Sequence, residues 1–365
     1  MKKIIPISKP YLNGNEKKYI VDALDSGWVS SLGNYISDFE SQFAKFCGTK
    51  YAVSASNGTV ALHLALVSLG ITKNDEVIIP DLSFIATANA VQYTGAKIVL
   101  VDIDPNSLCI CPIAIEKAIT SKTKCIIPVH LYGQPAEMSA INNIAKKYNI
   151  FVVEDAAEAH GAIYNAGKVG SFGDIGVFSF YGNKIITSGE GGMLTTNDEK
   201  LFNRIKFLRD HAMSKEKRYW HEEVGFNYRM TNLQAALGLA QLEQIDQFIA
   251  KREEIFSWYK SELINDSRIV LNRVVENSKS VYWMICVEIL GYVEENRDKL
   301  ILKLKEFGID SRPYFYPISE MPMYNDEIGQ LNSKSVSKRG INLPIFFELT
   351  KDEVIFICST LKSIL

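Results

Sequence analysis

The sequence predicts an α/β protein: a mostly parallel mixed sheet flanked by helices, followed by a smaller C-terminal α+β domain. Three observations predict it. Short runs that are apolar on both faces recur through the first two thirds of the chain, as in strands covered by helices on both sides. Amphipathic stretches separate several of them, which is the rhythm of βαβ units. Beyond residue 250 the pattern changes, with fewer buried runs and a Pro-punctuated segment.

Taken in order, residues 15–25 and 35–46 read as amphipathic helices. Ala52-Val53-Ser54 is a short strand that ends at Asn57-Gly58-Thr59. From Val60 to Leu69 apolar residues occupy nearly every face, so this helix is expected to be buried, with Gly70 as its stop. The strand-like runs are Glu76–Pro80, Lys97–Asp102, Cys125–Val129, Ile150–Asp155 and Gly176–Phe180, with helices at 84–93, 112–119 and 137–148. Gly191–Thr196 adds a hairpin-like strand. The spacing then predicts helices over 198–210, 231–249 and 251–264, with a polar loop at Ser214–Tyr228 long enough to be functional. A strand at 281–289, a helix at 295–307, a loop at 311–324 and a helix at 350–363 complete the chain. The expected division is an N-terminal arm over 1–25 packing with the small domain, a large domain over 26–249 and a small domain over 250–365.

The chain has 365 residues, enough for two or three domains. Forty Lys+Arg against 42 Asp+Glu leave a formal charge of −2, which argues against a nucleic-acid or membrane-surface protein. The N-terminal apolar stretch is too short for a signal-peptide core, and no run is long enough to span a bilayer. Six cysteines without a Cys-x-x-Cys pair suit reduced thiols in the cytoplasm. The five histidines show no metal-ligand spacing, so no metal is expected.

Three features stand at the ends of core elements. Asn57-Gly58-Thr59 opens the buried helix, where free N–H groups and the helix dipole attract anions; Asn57 also suits plain N-capping. Asp155 closes an apolar strand, and ligands of open α/β sheets bind beyond the carboxyl ends of strands; a turn or capping role is the alternative. Lys184 lies between a strand and the turn Gly189-Glu190-Gly191-Gly192. Partial burial would keep its amine neutral for Schiff-base chemistry, whereas a loop lysine is ordinarily solvated. Together these residues meet the needs of pyridoxal phosphate (PLP): an amine for its aldehyde, a phosphate cradle and an acid that keeps the pyridine nitrogen protonated. No Gly-x-Gly-x-x-Gly after an early strand and no Gly-x-x-x-x-Gly-Lys-[Ser/Thr] is present, which weakens a dinucleotide or phosphotransferase reading.

Six segments, Ser56–Thr59, Glu154–Gly161, Gly170–Asp174, Phe178–Lys184, Gly189–Gly192 and Gly225–Met230, together resemble the DegT/DnrJ/EryC1/StrS family of sugar-nucleotide aminotransferases. The lysine follows the aspartate by 29 residues, as in that family. The resemblance covers nearly the whole chain and implies the type I PLP-dependent aminotransferase fold. It implies that Lys184 binds the cofactor aldehyde and then shuttles a proton, and that Asp155 pairs with the pyridine nitrogen. Glu158 would sit near the ring hydroxyl, where many members carry Gln or His, and Phe84 would stack on the ring. Asn57, Gly58, Thr59 and Ser179 would hold the phosphate. Asn227 would reach the neighbouring subunit's phosphate, so a homodimer with sites at its interface is implied.

Gly27–Ser31, Arg218–His221, Arg312–Pro317 and Arg339–Pro344 resemble most the members that pass an amino group from L-glutamate to C4 of GDP-4-keto-6-deoxy-D-mannose, for sugars of the O-antigen kind. Members acting on UDP-linked 4-keto-6-deoxy sugars share most of this pattern. Deoxygenating members carry His in place of the lysine, so Lys184 favours transamination; an intact lysine and the lack of an appended DNA-binding segment also speak against a regulatory PLP-fold protein. Expected substrate contacts are His221, Arg229, Arg312 and Tyr316. His63, inside an apolar helix, reads as a core histidine, and the mixed cluster Lys215–Arg218 as a solvated face.

Overall fold

The computed structural model describes residues 4–324 and 331–365. Residues 1–3 of the expected arm and 325–330 of the expected small domain lie outside them. A seven-stranded mixed sheet forms the centre, in the order Tyr51–Ala55, Gly192–Thr196, Ile175–Ser179, Phe151–Asp155, Thr123–Ile126, Glu76–Pro80, Lys97–Val101. The last five strands of that order run parallel. Gly192–Thr196 is antiparallel to both neighbours, as expected for a chain that turns back after the lysine segment. All the strand runs predicted before residue 200 are present. Lys97–Val101 departs from the two-faced burial expected of it, because it is the sheet's edge and most of its residues are half-exposed.

Helix Gly58–Ser68 is buried almost throughout, packed on strands Ile175–Ser179 and Gly192–Thr196 and on helices Ala86–Thr94 and Glu199–Arg209. It ends where Gly70 adopts φ +76°, the left-handed stop its sequence predicts. His63 is indeed a satisfied core residue, with Nδ1 3.1 Å from the Tyr228 hydroxyl.

Two of the expected helices need correction. Instead of 231–249 and 251–264, the chain forms Asn232–Leu242 and Ile245–Leu263. The break at 243–244 is set by tertiary contacts: Gln241 and Gln244 both donate to the buried Glu16 carboxylate, at 2.6 and 3.0 Å. Apolar periodicity continues across the break and conceals it. The second helix runs unbroken past residue 250.

Beyond it a four-stranded antiparallel sheet forms, ordered Ile269–Leu271, Ile285–Ile289, Gly340–Leu343, Arg312–Pro313. Only the second of these strands was expected, and it begins four residues later than its apolar run. The first residues of the expected arm pack on this part of the chain, whereas its helix Glu16–Asp25 packs on Asn232–Leu242 of the expected large domain. Ile5 exchanges backbone bonds with Gly308 and Asp310, and the Tyr11 ring stacks on Phe347 at 4.2 Å. Among the described residues no helix is long and apolar enough to cross a membrane.

Candidate active site

A cavity of about 580 Å³ opens where the parallel strands end. Asn57, Gly58, Thr59, Phe84, Asp155, Ser179 and Lys184 all line it. The N-terminus of the buried helix supplies one wall. Its first four N–H groups have no partner within the helix. The Asn57 side chain accepts from Val60 N–H at 3.0 Å, and the Asn57 carbonyl accepts from Ala61 N–H at 3.2 Å. Gly58 and Thr59 line the cavity, so this capped helix end presents its N-terminus to it. A Cβ on Gly58 would lie 2.9 Å from Ser179 Cβ, so glycine is required for the strand and helix to approach this closely.

Asp155 ends its strand on the cavity side. It accepts from the Thr87 hydroxyl at 2.7 Å and from Ala157 N–H at 3.2 Å. Burial raises its pKa, and the Thr87 bond opposes that rise. Glu154 points to the opposite face, as strand alternation requires. It accepts four bonds, from His130 Nε2, Gly170 N–H, Phe172 N–H and Gly173 N–H, all between 2.7 and 3.0 Å. His130 Nδ1 in turn accepts from Ala136 N–H, so Nε2 carries the proton given to Glu154.

Lys184 sits in the turn that joins Ile175–Ser179 to Gly192–Thr196. Backbone bonds close this turn: Lys184 N–H to Tyr181 O, Phe180 N–H to Gly191 O, and Ser188 N–H to Phe180 O, at 2.8–3.0 Å. The lysine side chain is only 11% exposed. Burial lowers its pKa, and Glu158 and Asp155 pull it back up. Glu158 Oε1 is 3.7 Å from the amine, and Oε2 accepts from Tyr132 N–H at 2.9 Å. Burial pushes the Glu158 carboxyl up to about 7, against the pull of Lys184. The cavity thus brings together the Lys184 amine, the Asp155 carboxyl and the helix N-terminus at Gly58 and Thr59, while Glu158, 3.7 Å from the amine, is not one of its lining residues.

A family model, the DegT/DnrJ/EryC1/StrS aminotransferase family, matches residues 10–362. The chain belongs to that family. It is 45% identical to a GDP-perosamine synthase of Caulobacter vibrioides over 99% of this chain and 98% of that protein. It is 46% identical to the GDP-perosamine synthase of Escherichia coli O157:H7, with the same coverage. Among solved structures, the PLP form of the putative sugar aminotransferase Spr1654 from Streptococcus pneumoniae matches at a TM-score of 0.93. It is 28% identical, over 99% of this chain and 98% of that one. The fold is therefore that of the sugar aminotransferases, and the chain is an aminotransferase.

Several expected contacts of this family member lie away from the cavity. Arg312 is exposed and pairs with Asp310 at 3.1 Å. The Tyr316 hydroxyl meets Arg297 Nη2 at 3.2 Å, and its ring lies against that guanidinium. Phe315, between them in sequence, lines the cavity instead, 5.7 Å from the Phe84 ring. His221 is exposed, with Nδ1 2.8 Å from the His211 carbonyl oxygen. Its neighbour Trp220 is exposed too. Arg229 pairs with Asp210 at 2.7 Å and donates to Asn227 Oδ1 at 3.0 Å. Residues 215–218 are exposed, as expected of a solvated face.

Sequence reasoning missed Thr87, Tyr132 and Trp283. Thr87 sits one turn past the aromatic Phe84, a spacing that could have flagged it. Nothing local marks Tyr132 or Trp283, because each depends on a chain crossing.

Proposed function

We propose that this chain is a PLP-dependent aminotransferase that moves the amino group of L-glutamate to C4 of GDP-4-keto-6-deoxy-D-mannose, giving GDP-perosamine. The observation that carries the reading is the buried amine of Lys184, 3.7 Å from Glu158 and lining one cavity with Asp155 and Gly58. The residues fit the cofactor. The closely packed helix N-terminus leaves the Gly58 and Thr59 N–H groups for a phosphate, with the Ser179 hydroxyl beside them. Asp155, buried yet hydrogen-bonded, can hold a proton on a ring nitrogen. Phe84 at the rim offers a face for the ring to stack on. Bound there, the cofactor supplies an aldehyde for an amine and a ring that accepts the electron pair released at the substrate carbon.

Lys184 has two tasks. Its burial favours the neutral amine, which is the nucleophile. Once free, Nζ can take the proton from the amino-bearing carbon and return it on the other side of the exchange. Glu158, near neutrality in pKa, can hold a proton beside that nitrogen. The GDP-linked substrate is supported by near-full-length identity to two proteins named for GDP-perosamine formation.

The reading includes a homodimer with shared active sites. Asn227 is exposed and outside the cavity of its own chain. Large apolar side chains, Trp28 and Leu32, stand exposed near the N-terminus, and among the described residues the cavity lining holds no arginine for a diphosphate. The two main sheets support a division into a large and a small domain, although the proposed boundary at 249 falls inside the helix Ile245–Leu263 and the helix of the 1–25 arm packs on the large domain. Six unpaired cysteines suit the cytoplasm.

Incubation with glutamate and either GDP-4-keto-6-deoxy-D-mannose or a UDP-linked 4-keto-6-deoxy sugar, with products weighed by mass spectrometry, tests the proposal. Amination of the GDP sugar is expected. Turnover of the UDP sugar alone would reject the substrate, and full turnover by Lys184→Ala would reject the chemistry.

A further inference from the structure

Beside the amine of Lys184 stands an indole that no motif singles out. Trp283 is buried and lines the cavity. Lys184 Nζ lies 4.1 Å from the centre of its ring. Trp283 Nε1–H donates to the carbonyl of Asn183, the residue before the lysine, at 2.9 Å. Its backbone N–H donates to the Tyr132 carbonyl at 3.1 Å. Its own carbonyl accepts from Arg252 Nη1 at 3.0 Å, and that buried guanidinium also bonds the Tyr282 carbonyl. The ring is stacked with Tyr132 and Phe315. The indole is therefore held on its edge, its backbone and its ring.

Other charged groups surround the same amine. Glu158 and Asp155 attract it when ionised. His160, buried among Phe43, Phe178 and Phe180, feels its charge. Arg252 lines a second, small pocket together with Lys184, and Glu190 shares the cavity lining. The carboxylates attract only as far as they are ionised, and burial opposes their ionisation. The attraction of an indole face for an ammonium does not titrate.

We propose that Trp283 is a positioning residue for Lys184: its ring face holds the free ammonium, and its N–H fixes the Asn183 carbonyl that sets where the lysine emerges. This rests on the aminotransferase reading, in which the lysine is set free in each turnover and must wait beside the reacting carbon. Once the lysine has taken the proton from the carbon, the ring and the ionised carboxylates hold that proton on it, while burial favours its release.

The test is the pH dependence of Lys184 acetylation by acetic anhydride in the full chain stripped of cofactor, read by peptide mass spectrometry. Uniform replacement of tryptophan by tetrafluorotryptophan keeps the shape and removes the negative ring face. The labelling midpoint is expected to fall by about 1.5 pH units, the size of a desolvated cation–π contact. Trp283→Leu should lower it at least as far, and Trp283→Phe should restore part of it. A midpoint unmoved by fluorination overturns the proposal, whether or not Trp283→Leu folds. Visible absorption of the loaded wild-type protein reports separately on the aminotransferase reading, and its absence would leave the labelling result interpretable.

Discussion

Glu154→Gln offers a direct measure of how the cavity is held in place. The two Glu154 oxygens each accept two bonds: Oε1 from Phe172 and Gly173 N–H, Oε2 from His130 Nε2 and Gly170 N–H. The side chain is wholly buried. In glutamine one oxygen becomes an NH₂ group, and in either orientation it faces two donors. Two charge-assisted bonds are lost, at about 1.5–3 kcal/mol each, so about 3–6 kcal/mol is expected. With an unfolding entropy of about 2 cal/mol/K per residue, that lowers the melting temperature by roughly 4–8 °C for a chain of this length. Thermal unfolding of the cofactor-free proteins, followed by circular dichroism, provides the measurement. The damage should also reach the site, because the His130 loop carries Tyr132, whose N–H holds Glu158. A variant that melts with the wild type would refute the reasoning that the glutamate is a four-way acceptor.

Gly58→Ala places a Cβ 2.9 Å from Ser179 Cβ; a stability loss of about 1–3 kcal/mol and a clear drop in PLP affinity by absorbance titration are expected. Burial holds the Glu158 carboxyl up at about 7, above the ordinary 4.5 of a glutamate, so the native state binds the extra proton between those values. Stability should therefore fall as pH rises through this window, by about 3 kcal/mol relative to Glu158→Gln; parallel urea-denaturation curves for the two cofactor-free proteins would refute this. If Asn227 completes a neighbour's site, mixing inactive Lys184→Ala and Asn227→Ala chains should restore part of the activity, since a hybrid dimer keeps one intact site; mixtures as inactive as their parents would rule the shared site out.

Much of the site was legible because its parts are local. Asp155 ends an apolar run, Asn57-Gly58-Thr59 opens an apolar helix, and Lys184 lies between a strand and a glycine turn; each is a boundary that periodicity marks. The long-range parts were not legible. Trp283 reaches the cavity, and Tyr132 reaches Glu158, only because backbone bonds join Tyr132–Gly133 to Val281–Trp283. Arg312 and Tyr316 looked like ligand contacts by charge and by loop position. Their partners Asp310 and Arg297 come from the same part of the fold, and the apolar Phe315 takes the place at the cavity. The helix break at 243–244 depended on Glu16, more than 200 residues earlier. Short strands such as Ile269–Leu271 hold too few residues to show a period.

The turn that carries Lys184 is closed by bonds between main-chain atoms and by the Thr187 hydroxyl on the Phe180 carbonyl. None of these uses the lysine side chain. Position 184 is thus free to change its chemistry without loosening its mounting. A Lys184→Ala chain should fold as a chemically silent receptor, in which the affinity of each candidate sugar nucleotide can be measured without its being consumed.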